Sequence, residues 1–68
     1  MANRIPRAAK KLLVTWKVSN NVSEAGRTVE AYRDEMGWHE VVGGKSYYVF
    51  ISSLRNSDLC DIKVVENF

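Results

Sequence analysis

Gly43-Gly44 constrains this chain more than any other pair of residues. It separates two runs rich in β-branched and aromatic residues, so that residues 38–52 read WHEVVGGKSYYVFIS. Tight hairpin turns need φ > 0, which glycine reaches without steric cost, and the stretch therefore predicts two strands and their turn. The second arm alternates Tyr47, Val49 and Ile51 with Tyr48, Phe50 and Ser52, and both sets are largely apolar. One side of such a strand belongs in a core; the other is left for a partner.

Two further strands follow from period-2 patterns. From Lys10 or Lys11 onward, Leu12, Val14, Trp16 and Val18 alternate with Leu13, Thr15 and Lys17. From Leu59 to Glu66, Cys60, Ile62 and Val64 alternate with Asp61, Lys63 and Glu66. Residues 54–58 are polar and broken, as a loop or a single helical turn would be. Between the first strand and the hairpin, Val22, Ala25, Val29, Tyr32 and Met36 recur at steps of three and four, the stripe of an amphipathic helix over 22–36. Asn21 and Glu24 would cap its start, and Gly37 would stop it with Trp38 folding back on Tyr32.

The expected architecture is thus α+β: a single helix packed on one face of a four-stranded, mostly antiparallel sheet in the order β-α-β-β-β, a truncated ferredoxin-like fold. Residues 1–9 are expected as a flexible basic arm, since Pro6 blocks regular pairing, and residues 10–68 as one domain. With 68 residues and one cysteine, the chain has no internal disulfide, and a zinc site would need more than Cys60 and the lone His39. No apolar run approaches a membrane span and no signal core opens the chain, so a cytoplasmic setting is expected.

One helix covers one face of such a sheet. The other would expose Lys11, Leu13, Thr15, Lys17, Tyr48, Phe50, Ser52, Asp61, Lys63 and Val65, too apolar for ordinary wet surface. Charge adds a second feature. Residues 1–17 hold five cations and no acid, whereas residues 18–68 hold five cations against eight acids. The basic end invites a polyanion or an acidic surface, unless it serves only to keep the chain soluble.

Chemistry is harder to find. His39 lies between Trp38 and Glu40, which point away from it in a strand, so a structural histidine is favoured over a general base. Cys60 falls in an apolar strand phase, the setting of an inert thiol. Asp58 and Asp61 read as polar loop rather than as a metal pair. Gly43-Gly44-Lys45-Ser46 echoes a phosphate loop, but His39 stands where that motif's first glycine belongs and a strand follows instead of a helix. No catalytic residue, metal or cofactor is predicted, and no enzyme.

Lys45-Ser46-Tyr47-Tyr48-Val49-Phe50 resembles the third strand of the RNA-recognition motif, which reads basic, Gly, aromatic, Gly or Ala, aromatic, Val. It keeps the basic residue and the first aromatic, lacks the internal glycine, and has Val49 in place of the second stacking aromatic. The opening LLVTWKVSN resembles the first strand of small ferredoxin-like CRISPR-associated nucleases, with Trp16-Lys17 where their aspartate belongs. Neither family is assigned.

The functional expectation is a small non-catalytic regulatory binding protein, of the kind phage and mobile elements encode. It would contact RNA or single-stranded nucleic acid through Arg4, Arg7, Lys10, Lys11, Lys17 and Lys63 for phosphates, with Leu13, Tyr48 and Phe50 on the open sheet face. The alternative is an inhibitor or antitoxin-like protein that blocks a protein target through the same apolar face or an edge strand. A homodimer is expected in either case.

Overall fold

The computed structural model describes residues 2–19 and 24–68. Among these residues five strands and one short helix follow in the order β1 (Ala9–Trp16), β2 (Thr28–Asp34), β3 (Gly37–Val42), β4 (Lys45–Val49), α1 (Ile51–Leu54) and β5 (Cys60–Asn67). They form one sheet, β4-β3-β2-β1-β5, in which every neighbouring pair is antiparallel. The class is α+β as expected. The sheet has five strands rather than four, and among the described residues there is no crossover helix of the kind a ferredoxin-like arrangement requires.

The correction falls on residues 28–34. Instead of the helix expected over 22–36, they form β2, with Val29 and Ala31 buried and Thr28, Glu30 and Asp34 exposed. Ala25 and Met36, two members of the supposed helical stripe, are exposed; Met36 is 77% accessible. A strand here joins β1 through five residue pairs and β3 through five more. A helix would leave the facing edges of both strands unpaired, and unmet backbone groups are costly. Gly37 does take positive φ, at 116°, but it does so in the β2–β3 connection. Trp38 consequently faces Arg33 across the strands, and Tyr32 faces His39. The expected cap at Asn21 and the helix start at Val22 lie outside the described residues.

The hairpin forms where glycine places it. Gly43 and Gly44 have φ of 60° and 78°, the pattern of a type I′ turn, and Val42 faces Lys45 across it. Its second arm ends at Val49, earlier than the alternation to Ser52 implied, because Ile51–Leu54 turn into α1.

The core lies on one face. It gathers Leu12, Val14 and Trp16 of β1, Val29 and Ala31 of β2, Trp38 of β3, Val49 of β4, Leu54 of α1 and Cys60 of β5. Strands spaced about 4.8 Å apart would put the two edges of a flat five-stranded sheet roughly 19 Å from each other. Val49 and Cys60 share one cluster because the sheet curls and Leu54 fills the gap between its edges. The sheet itself thus performs the covering assigned to the missing helix. Tyr47 and Ile51, both assigned to the core side, are 38% and 41% exposed.

The segment read as a loose arm runs along this inner side. Ala2 bridges Asn56, and the Asn3 N–H donates to the Arg55 carbonyl at 2.6 Å. Asn3 Nδ2 donates to the carbonyls of Leu54 and Cys60 at 3.0 and 2.6 Å. Ile5 packs against the core. Register shifts on either side of Lys11 leave Lys10 and Val65 as extra residues, bending the join of β1 and β5. Among the described residues no helix is long and apolar enough to cross a membrane.

Candidate binding surfaces

The registers place four side chains in one row on the outer face. Lys11 pairs with Tyr32, Tyr32 with His39, and His39 with Tyr48. Successive residues of a strand point to opposite faces, so a row of direct partners shares one face. Their rings touch. Tyr32 stacks on His39 with centroids 5.4 Å apart, and His39 meets Tyr48 edge-on at 5.8 Å. Phe50, one step beyond β4, meets Tyr48 edge-on at 5.3 Å. The ladder is most open at its β4 end, where Tyr48 and Phe50 are 58% and 65% exposed.

Two contacts hold its inner rungs. The Tyr32 hydroxyl lies 2.7 Å from Ser46 Oγ, and His39 Nε2 lies 3.0 Å from Asp34 Oδ1. The Met36 backbone N–H donates to that same Asp34 oxygen, and with the His39 contact it holds the carboxyl below its ordinary range.

Two lysines of the outer face are held by acids. Lys11 Nζ sits 2.5 Å from Glu30 Oε2, and this hydrogen bond raises the lysine's pKa above its ordinary value. Lys17 Nζ donates to the Ser57 carbonyl at 2.7 Å and lies 3.4 Å from Asp61. Leu13 is half-buried between Glu30 and Lys63, its cross-strand partners, and Lys63 is exposed.

Arg4, Arg7 and Lys10 lie elsewhere. They follow the N-terminal segment along the inner side, across the sheet from the rings. Arg4 lines an open groove with Asn3, Ile5 and Arg55. The Arg33 guanidinium donates to the Arg7 carbonyl at 2.8 Å. It also lies 5.8 Å from the Trp38 ring and 4.9 Å from the Phe68 ring, which Lys10 Nζ approaches at 5.9 Å. Lys10 and Arg33 thus meet at the Phe68 ring, Arg4 and Arg55 line one groove, and among the described residues no carboxylate lies within ion-pair distance of these four or of Arg7.

The nine residues nominated from sequence therefore divide between two surfaces. Lys11, Leu13, Lys17, Tyr48, Phe50 and Lys63 are on the outer sheet face; Arg4, Arg7 and Lys10 are not. Sequence reading missed Tyr32 and His39 on the first surface and Arg33 and Arg55 on the second. The period-2 alternation of Thr28 to Asp34 carried the signal for Tyr32 and Arg33, but the helical stripe masked it. The Cys60 thiol is buried, and burial pushes its pKa up. Among the described residues no group of three or more His, Cys, Asp or Glu side chains is arranged to hold a metal ion.

Comparisons with protein-family models, with curated proteins and with solved structures give no match to this chain.

Proposed function

We propose that the protein is a small non-catalytic binding module that engages RNA or single-stranded nucleic acid along a cationic strip made by Arg4, Arg7, Lys10, Arg33 and Arg55. The observation that carries this reading is the segregation of charge. Two of the three outer-face lysines, Lys11 and Lys17, have acidic partners, whereas among the described residues none of Arg4, Arg7, Lys10, Arg33 and Arg55 has a carboxylate within ion-pair distance. Unopposed cations in a row are what a phosphate backbone neutralises, with release of its counterions. The same strip approaches the rings at one place. Phe50 and Arg55 cap opposite ends of α1. At 1.5 Å per helical residue their Cα atoms are about 7.5 Å apart along the axis. A strand held at Arg4 and Arg55 has its bases within reach of Phe50 and then Tyr48, where stacking supplies sequence-tolerant affinity.

A second reading, a protein that docks on and blocks another protein, is favoured by the charge balance of the outer face. With Lys11 and Lys17 held by Glu30 and Asp61, that face offers apolar rings and, of its lysines, only Lys63 without an acidic partner among the described residues.

Salt separates the two. Fluorescence anisotropy with a single-stranded RNA probe, titrated across salt concentration, should give a steep linear fall of log K with log salt. The triple variant Arg4→Gln, Arg7→Gln, Lys10→Gln should flatten that slope by about 2, near 0.7 for each lost phosphate contact. A partner captured at high salt and unaffected by nuclease, together with no salt-sensitive RNA binding, would replace this reading with the second.

A further inference from the structure

The two edges of the sheet are built differently. At the β5 edge, Asp61, Lys63 and Glu66 are exposed, Val65 is an extra residue in the register, and the Phe68 N–H is bonded to the Ala8 carbonyl. Charges and bulges of this kind discourage another strand from adding. At the β4 edge the register runs through five consecutive pairs without a shift, and the one charge, Lys45, sits at the turn end. Tyr47 and Tyr48 occupy the middle of that strand, and Phe50 and Ile51 follow at 65% and 41% exposure. This is an edge left fit to pair.

The backbone at that edge follows from the turn. A two-residue loop closes on a hydrogen-bonded pair, and the two kinds of pair alternate along an antiparallel ladder. Val42–Lys45, Glu40–Tyr47 and Trp38–Val49 therefore exchange the β3–β4 bonds. Ser46 and Tyr48 turn their N–H and C=O groups outward. Among the described residues no backbone bond from outside the sheet reaches either.

We propose that β4 pairs antiparallel with β4 of a second copy of this chain, on a twofold axis through Tyr47. The register is self-complementary. A twofold axis at Tyr47 sets Ser46 opposite the second copy's Tyr48, and these two residues carry the outward backbone groups. Two such pairs exchange four hydrogen bonds. Tyr47 meets its own copy at a close, non-bonded position, with Cβ atoms about 5 Å apart. Lys45 lands opposite Val49, so the two lysines stand about 13 Å apart, four residues of strand rise. Beyond them Phe50, the last extended residue before α1, comes opposite Gly44, where even a built Cβ meets nothing within 4 Å. A foreign strand would have to match all of these positions independently, whereas the second copy matches them by symmetry. The ten-stranded product joins two ring ladders on one face and leaves both cationic strips free.

Sedimentation of the nuclease-treated protein in high salt tests this apart from any nucleic-acid binding. Wild type is expected to move from monomer to dimer as concentration rises. Ser46→Pro removes an outward N–H while sparing the β3 ladder, and should raise the dimer Kd at least tenfold with the far-UV spectrum unchanged. Under mild oxidation Tyr47→Cys should cross-link between copies and Lys45→Cys should not. A wild type that stays monomeric up to millimolar concentration overturns the proposal, as does a folded Ser46→Pro variant that dimerises as tightly as wild type. If Ser46→Pro fails to fold, the cross-link decides: no covalent Tyr47→Cys dimer overturns it.

Discussion

The ring of Tyr48 lies across Gly37, so that a Cβ built on the glycine would stand 3.2 Å from Tyr48 Cε1 and 3.6 Å from its hydroxyl oxygen. The glycine serves two ends at once. It turns β2 into β3 at a φ of 116°, and its bare Cα gives the outermost tyrosine of the ladder a surface to rest on.

Gly37→Ala should therefore destabilise the protein. Positive φ costs a residue with a side chain about 1–2 kcal/mol, and the new methyl must also push the Tyr48 ring aside. Urea denaturation should show the midpoint falling with little change in slope, while Gly43→Ala, which meets no neighbour, should show the backbone strain alone.

Leu54 is fully buried in the short helix that closes the curled sheet. Leu54→Ala should cost about 2–5 kcal/mol, because the surrounding strands cannot collapse into the vacancy without giving up their registers. A domain this small has little stability in reserve. Thermal unfolding followed by circular dichroism is the measurement, and an unchanged Tm would mean that the sheet closes without its plug.

Asn3 ties the N-terminal segment to the carbonyls of Leu54 and Cys60. Asn3→Ala should cost on the order of 1–2 kcal/mol, since it takes the amide donor from two partly buried carbonyls and leaves that of Leu54 with only the weak Cys60 S–H donor. Amide exchange should quicken along residues 3–9 and at the start of β5 together. Exchange that quickens in the segment alone would show that the anchor matters only locally.

Asp34 gives acid sensitivity of a defined sign. The Met36 N–H, with His39 contributing, lowers its folded pKa. A depressed carboxylate contributes stability above its unfolded pKa and loses it as pH falls through the folded value. Below about pH 4 the wild-type Tm should decline. Asp34→Asn should have a lower Tm at neutral pH and a shallower decline below pH 4. Parallel curves for the two proteins would remove Asp34 from the explanation.

Cys60 is buried, its Sγ within 3.5–3.6 Å of the carbonyl oxygens of Leu54 and Ser53, and its pKa is raised by desolvation. The thiolate is the reactive form. At pH 8 the native protein should react with a thiol reagent far more slowly than a model peptide, and the denatured chain at the peptide's rate. Fast labelling of the native state would place the thiol at the surface.

Much of the arrangement is local and could be read along the chain. Diglycine demanded a type I′ turn, and the turn set the register of β3 against β4. In β1 and β5 the alternation of apolar residues chose the core face correctly, from Leu12, Val14 and Trp16 to Cys60, Ile62 and Val64. It also placed Lys11, Tyr48 and Lys63 on the other face. These outcomes depend on steric rules that act within a few residues.

Residues 28–34 depended on something else. Val29, Tyr32 and Met36 fit a helical stripe, while Val29, Ala31 and Arg33 fit a strand face, so the pattern alone carried both answers. The unpaired edges of β1 and β3 decided between them, since only a strand between those two meets the backbone groups of both. That choice put Tyr32 and His39 into one row with Tyr48, and turned Arg33 to the inner side, where it meets Arg7 and Phe68. Sequence determined the turns and the faces of its strands; tertiary pairing determined which strands are neighbours, because backbone hydrogen bonds between distant segments outweigh the local preference of either one.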